Sequence, residues 1–497
     1  MFRFLPFLAL YVAVGAAAPA DSTQKASIQA ALDMARGGPG EFAADALLRI
    51  AALDALETPQ RVRLIEEAFH RADEAQQPYK RRNAMPNIPS NVQFQQRAFA
   101  QDLDALSLRT RAIEEMLPLD AGRARQLFLD LPPLDLPPVS CEDVMVFDVS
   151  SYYQALTGVA LRGFTAKEMH NGDAAQFVSQ RMARISSPAE VAPAVRAITG
   201  AGLDDLQFAG ALAAFNDALK RISKDDRSFT FYLPDAGAAV QTLIADITRR
   251  RLSPLPLIEA YRLYLVANFT AARCADDDVM TGSAASGPRP ALDSRSIEAI
   301  RFFNESLRAA PLQPIQATEA VAASNSGVAT GLRSCVSQAC SAIARQYRAL
   351  IFSPEGSAVP NSVRDTIEWR RQFEEVLSAL RDWPDTAPDA SGDDAAQQFR
   401  EKCVFYTELA ALPRDARLDQ TVLIALLDYL QRSRDRARTR IEWLLPVNLL
   451  IGRMRLDSAG LGKLEDEFRR STDPVIAMYA QLEAAAPRSP SDVLALM

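Results

Sequence analysis

Residues 41–75 constrain the fold more than any other part of this chain. Phe42, Ala46, Leu47, Ile50 and Leu53 recur at helical spacing, and Val62, Ile65, Phe69 and Ala72 repeat the pattern after a short turn. Thr58 is placed to cap the second helix, with Pro59 at the first helical position, where its missing N–H costs nothing, and Pro78 stops it. Two amphipathic helices joined by a short turn form an αα-hairpin, which cannot cover its own apolar stripes. It must stack on further helices, so the expected fold class is all-α.

Later segments extend this pattern. Residues 103–131 predict a second hairpin, in which Leu108-Arg109-x-x-Ala112-Ile113-x-x-Met116 matches Leu48-Arg49-x-x-Ala52-Leu53-x-x-Leu56 at an offset of 60. A third follows at 404–412 and 418–430. The expectation is stacked helical hairpins, an α-solenoid or helical-repeat-like array in the broad manner of tetratricopeptide or HEAT proteins. The Trp, Gly-Tyr and Pro positions of the tetratricopeptide pattern are missing, and no fixed period runs through the middle of the chain.

Residues 1–20 read as a signal peptide. Arg3 supplies a positive start, an apolar run follows over 5–17, and Ala18-Pro19-Ala20 is a small-x-small cleavage site before Asp21. Beyond it no apolar run reaches the roughly 18 residues that a membrane span needs. Residues 21–131 form the N-terminal hairpins. The proline-rich stretch 131–139 (LPPLDLPPV) is expected to be extended.

A middle helical domain follows at 140–274. Its first part, 144–153, suits either a strand or a helix start. Thr165-x-x-Glu168 is a capping box, and Ser187-Pro188 opens another helix with Glu190 in its first turn. Helices are expected at 204–222, 235–250 and 256–272, with a short extended piece at 228–233. Residues 275–331 read as a loop-rich linker with one helix at 297–307, and its stretch 311–331 is of low complexity. The C-terminal helical domain, 332–497, is expected to hold helices at 362–383, 395–411, 418–438, 441–455 (with a kink at Pro446) and 474–485.

Composition narrows the function. A net charge of −7 argues against a nucleic-acid binder that works by bulk electrostatics. The whole chain has two His, His70 and His170, so a His-rich metal site is impossible and a Ser-His-Asp triad would have to use one of them. Five Cys, at 141, 274, 335, 340 and 403, leave at least one free or intermolecular. On a continuous helix Cys335 and Cys340 would point about 140° apart, so a bridge between them needs non-helical backbone. A long-range bridge such as Cys274 to Cys403 is the open alternative.

Candidate chemistry is sparse. Asp276-Asp277-Asp278 is the densest acidic cluster, but it lacks the spacing and final Glu of a calcium loop and reads as a solvated turn. His170-Asn171-Gly172-Asp173 reads as a surface turn, and His70 sits where a helix C-terminus favours positive charge. Glu305-Ser306 is similar to the Glu-Ser pair of soluble lytic transglycosylases, yet that family's Gly-Leu-Met-Gln-type motif is missing downstream. The pair sits among Phe302, Phe303 and Leu307 in an amphipathic helix. The arginines at 432, 434, 436, 438 and 440 would spread around a helix rather than form a stripe.

Nucleophile-elbow, zinc-protease, dinucleotide and phosphate-loop motifs do not occur. No catalytic, cofactor-binding or metal residue is therefore assigned, and no cofactor is implied. The sequence reads as an exported helical scaffold or binding protein of the periplasm or extracellular space, with a protein or envelope polymer as partner. The alternative is a hydrolase or lyase acting on cell-wall or other extracellular polymer through acidic residues.

Overall fold

The computed structural model describes residues 20–83, 90–140, 143, 145–222, 224–271, 294–307, 310–313, 335, 337–364, 366–386, 392–412, 416–456 and 462–485. Among them are 22 α-helices and one two-stranded sheet, so the chain is all-α. No helix of the described residues is long and apolar enough to cross a membrane. Residues 1–19 of the expected signal peptide, the Asp276–278 cluster and the low-complexity stretch 314–331 lie outside the described residues, as do Cys141 and Cys274.

The chain opens with α1 (Ala20–Arg36), α2 (Gly40–Ala51) and α3 (Thr58–Arg71). The α2–α3 hairpin forms as its pattern requires, and Leu64, Ile65, Ala68 and Phe69 face inward. Two details differ from expectation. Glu57, not Thr58, caps α3, in a reciprocal box with Gln60, because the chain is already helical at Thr58. And α2 is buried on every side, Glu41, Asp45 and Arg49 included, where a surface hairpin would keep one face wet. Gly40 permits the close approach at its start: a Cβ there would lie 2.5 Å from the Arg71 carbonyl oxygen.

Strand β1 (Lys80–Asn83) precedes α4 (Ser90–Phe99), α5 (Ala105–Met116) and α6 (Ala121–Leu129). The second hairpin, α5–α6, is thus present. The two copies of the offset-60 match sit differently, since α2 ends at Ala51, within its copy of the pattern, whereas α5 carries its copy inside the helix. Residues 132–139 run without helix or strand, as their prolines dictate. The ambiguous stretch after them is both things in turn, β2 (Met145–Asp148) and then α7 (Ser150–Arg162).

The middle continues with α8 (Ala166–Asn171), α9 (Asp173–Met182), α10 (Pro188–Gly200), α11 (Asp205–Leu219), α12 (Ser228–Arg249), α13 (Leu255–Phe269) and α14 (Ser294–Ser306). The expected capping box of Thr165 with Glu168 closes, and Ser187, expected to open a helix with Glu190 in its first turn, forms a second box with that Glu190. Backbone hydrogen bonding and the Arg125 guanidinium hold the Glu168 carboxyl down at about 2. The extended piece expected at 228–233 is instead the first turns of α12, which runs on through Pro234. Phe229, Phe231, Tyr232 and Leu233 are all buried there, so packing on several sides overrides the aromatic–polar alternation that suggested a strand.

The C-terminal part holds α15 (Gln338–Ile351), α16 (Asn361–Arg364), α17 (Ile367–Asp382), α18 (Asp393–Ala411), α19 (Ala416–Arg432), α20 (Arg440–Leu456), α21 (Gly462–Arg469) and α22 (Pro474–Ala485). The single helix expected at 362–383 is split, because Thr366 turns its hydroxyl onto the Trp369 N–H and caps a new helix. Likewise α19 stops at Arg432 rather than 438. The arginines beyond it are drawn off the helix by partners: Arg434 to Asp473 (3.3 Å), Arg436 to the Thr386 carbonyl (2.7 Å) and Arg438 to Asp393 (3.7 Å).

Cys335 and Cys340 form a disulfide with Cα atoms 5.2 Å apart. It is possible because Cys335 lies outside α15, before its cap Ser337. Cys403 is free and fully buried on α18, so the alternative pairing with Cys274 does not form.

The first and last helices of the described residues meet. Helix α22 packs on α1 and α2, and α20 packs on α4. The contact is charged as well as apolar. Arg49 pairs with Glu483 at 2.7 Å with both side chains under a tenth exposed, and Arg440 reaches the fully buried Glu41 at 3.1 Å. Tyr479 donates to Asp45 at 3.1 Å, and its ring meets Phe42 edge-on.

Candidate functional site

A solvent-open pocket of about 320 Å³ lies where the sheet, α5 and α7 come together. The sheet supplies its charged floor. β1 and β2 pair antiparallel with Lys80 opposite Asp148, Arg81 opposite Phe147 and Arg82 opposite Val146. This strand of Lys, Arg, Arg and Asn has no β-pattern of its own. The Arg81 guanidinium lies 4.6 Å from the Phe147 ring and that of Arg82 lies 4.4 Å from the Tyr232 ring, so cation–π contacts and an Arg82–Asp235 pair at 2.8 Å hold it in place.

One wall is a polar face of α5. Ser107, Thr110, Arg111 and Glu114 fall at i, i+3, i+4 and i+7, opposite the buried Leu108, Ala112 and Ile113. The start of α5 is clamped to the approach of β1, with Ala105 N donating to the Gln77 carbonyl at 2.8 Å and Leu106 N to that of Pro78 at 3.1 Å. Just before it, Asp102 adopts φ of +55°, in the left-handed region that Asp tolerates better than most residues. That turn aims its carboxylate at Lys80, whose ammonium donates to it at 2.5 Å.

The opposite wall is the beginning of α7, with Ser150, Ser151 and Gln154. Asp148 accepts from Ser150 N at 3.0 Å and so caps this helix while its carboxylate lines the pocket.

The electrostatics are uneven. Burial works against the Lys80 ammonium, but Asp102 in direct contact, together with Asp148 and Asp104, outweighs it and holds the Lys80 pKa above its ordinary value. Arg111 is committed to Asp45 at 3.0 Å and to Glu115 at 2.8 Å. Desolvation raises the Glu114 carboxyl, with Arg162 opposing it at longer range. Beside the pocket, Asp104 caps α5 through Ser107 N at 2.9 Å. It is 1% exposed, its Oδ2 has no hydrogen-bond partner, and burial pushes its pKa from 3.8 to about 6.

None of the residues weighed from sequence enters this pocket. His70 is exposed in the last turn of α3, against the Phe69 ring. His170 is exposed at the end of α8, and Gly172, at φ of +84°, turns the chain so that Asp173 opens α9, the surface turn that was expected. Glu305 and Ser306 are exposed at the end of α14. Among the described residues no group of three or more His, Cys, Asp or Glu is placed to hold a metal.

Sequence reasoning passed over Lys80, Asp102, Glu114 and Asp148. The legible signal was the polar stripe of α5, four positions at helical spacing on the face away from its apolar residues. The pairing of Lys80 with Asp148 across 68 residues left no sequence trace. Comparison with family models, with curated proteins and with solved structures finds no match for this chain.

Proposed function

We propose that this protein is an exported, non-catalytic helical binding protein of the cell envelope, and that the pocket between the sheet, α5 and α7 receives a polar group of its partner. The observation that carries the reading is an open pocket lined by polar and charged side chains where the sheet, α5 and α7 meet. Thr110 spends its hydroxyl proton on the Leu106 and Ser107 carbonyls, and both His lie elsewhere. The Cys335–Cys340 disulfide supports an oxidising compartment, in keeping with the signal-peptide pattern of residues 1–20.

Site-specific photo-cross-linking in cells tests this. A benzophenone at the exposed pocket rim, Gln154, is expected to give a discrete adduct that the same group at exposed Arg196 on α10 does not. Matching adduct patterns at both positions would overturn the reading, as would turnover of a defined substrate. N-terminal sequencing of the extracytoplasmic protein should begin at Asp21.

One observation favours a second reading, an acid–base hydrolase or lyase acting on an extracellular polymer. Asp102, Glu114 and Asp148 line the same pocket, and desolvation raises the Glu114 carboxyl. Carboxyls whose environments differ in this way can divide the roles of acid and base. Release of reducing ends from cell-wall glycan, lost in Glu114→Gln, would establish it.

A further inference from the structure

We propose that the end of the molecule where α9 and α11 terminate binds a phosphoryl group through the guanidinia of Arg181, Arg184 and Arg221. This site is separate from the pocket and shares none of its lining residues. Arg181 lies in the last turn of α9, and Arg184 follows three residues later. Arg221, just past α11, donates to the Ala183 carbonyl at 2.9 Å and so brings a third guanidinium to the same end. Arg184 and Arg221 are exposed, and Arg181 is half-buried. Three positive groups thus share one surface of a chain whose net charge is −7.

Arg181 departs from the way this fold treats other arginines that stack on rings. Its guanidinium lies 4.4 Å from the Phe177 ring and 5.8 Å from that of Phe128. Arg82, Arg109, Arg125 and Arg250 also lie over aromatic rings, and each has a carboxylate. These are Asp235 at 2.8 Å, Asp73 at 2.7 Å, Glu168 at 2.8 Å and Asp205 at 3.0 Å. Among the described residues no carboxylate acts on Arg181, which meets the Tyr152 phenol, the Gln180 amide oxygen at 3.3 Å and the like charge of Arg184. Burial lowers its pKa, and Arg184 adds to the effect. Glu190, which acts on the same phenol, is buried and engaged by Tyr153, Ser186 and Ser187. Asp217 acts on Arg221 but is already held by Lys220 at 2.9 Å. The ends of α9 and α11 together carry about one negative charge, short of what three guanidinia require. An anion from outside therefore gains more here than beside the paired arginines.

The donors select the anion. A guanidinium has five N–H groups in a planar fork, and the protein engages those of Arg181 only toward Gln180 and Tyr152. Stacking on Phe177 holds that fork in place, so little side-chain freedom is lost when it closes on a ligand. One fork satisfies a carboxylate, whereas a phosphoryl group accepts from several donors at once and suits three arginines better. Because two of the three stand on open surface, the group can be a free phosphate or can project from a lipid headgroup.

Titration calorimetry on the full chain at low salt provides the test, with inorganic phosphate and phenyl phosphate as probes and acetate as control. One-site binding is expected, about tenfold or more tighter for phosphate than for acetate. Arg181→Lys keeps the charge and loses the fork, and should weaken phosphate binding about fivefold or more at an unchanged melting temperature. Arg184→Gln should weaken it several-fold. Arg196→Gln, which removes an exposed arginine from α10, should leave it unchanged. If Arg181→Lys does not fold, Arg184→Gln and the shift of the Arg181 Nε–H resonance on adding phosphate to the parent protein decide in its place.

Equal phosphate affinities for the parent, Arg181→Lys and Arg184→Gln would overturn the proposal. So would an equal loss in Arg196→Gln, which would reduce the effect to overall charge. Sedimentation with phosphatidylglycerol vesicles separates the two sources. Capture that phosphate displaces and Arg184→Gln abolishes points to a lipid headgroup, and phosphate binding without capture points to a free phosphate; either supports the site. A missing adduct at Gln154 would leave this site untouched, and a failure to bind phosphate would leave the pocket reading intact.

Discussion

The junction of α2, α20 and α22 and the pocket beside α5 are both rich in charge, yet they handle it in opposite ways. In the junction, buried charges are matched: Arg49 with the buried Glu483, and the fully buried Glu41 with the part-exposed Arg440. In the pocket, Lys80 pairs with an Asp102 whose side chain is 55% exposed, and Glu114 is exposed. Desolvation explains the contrast. A charge removed from water without a partner costs several kcal/mol, whereas water itself stabilises a charge lining an open cavity. Buried charges in the junction therefore have to be matched, whereas those lining the open pocket keep contact with water. Arg111 joins the two regions, since it lines the pocket and holds Asp45 of α2.

Four measurements put this contrast at risk. The largest effect is expected from Glu483→Ala, which removes the carboxylate from the buried Arg49 guanidinium where α2 meets α22 and should cost about 3–5 kcal/mol in chemical denaturation. The double change Arg49→Met with Glu483→Leu should recover most of that loss. A cost under about 1 kcal/mol for Glu483→Ala would show that water reaches the junction, and the distinction between the regions would fail.

Asp104, between the two environments, tests the same logic through pH. The folded protein holds the Asp104 proton up to about pH 6, the unfolded chain only to near 3.8. This contribution to stability is therefore greatest below pH 4, declines as pH rises toward 6, and stays lost above it. Asp104→Ser keeps a capping oxygen for Ser107 N and deletes the unpartnered one. Roughly 2–3 kcal/mol of the pH dependence of unfolding between pH 4 and 7 should vanish in this variant. Parallel stability curves for the two proteins would refute the assignment.

Effects on stability inside the pocket should be much smaller. Lys80→Met breaks a pair whose Asp102 side chain is 55% exposed, so a loss of no more than about 1 kcal/mol is expected, diminishing further in high salt. Glu114→Gln should leave the melting temperature unchanged within about 1 °C, because no contact within the protein is lost. A large destabilisation in either variant would mean that the pocket charges are structural.

Much of the scaffold is legible in the order of the residues. The α2–α3 and α5–α6 hairpins, the Thr165 and Ser187 capping boxes, the extended proline stretch and the last helix starting at Pro474 follow from patterns within a few residues of one another. Failures of the local code have a common cause. At 228–233 burial on several sides replaces the alternation of a strand, and beyond Arg432 distant acceptors pull arginines out of a helix that propensity would have continued. Strand β1 is invisible for the same reason: what stabilises Arg81 and Arg82 is an aromatic ring contributed by β2 and another by α12.

The all-α class, most helix boundaries and the scarcity of catalytic side chains are thus written in the sequence, because periodicity, capping and composition act locally along the chain. Three things belong to the packed fold alone: that α1 and α22 meet, that a lysine and three acids share one cavity, and which charges lie close enough to pair. Charge pairing depends on distance and desolvation between residues far apart in sequence, and neither quantity can be read from the order of the amino acids.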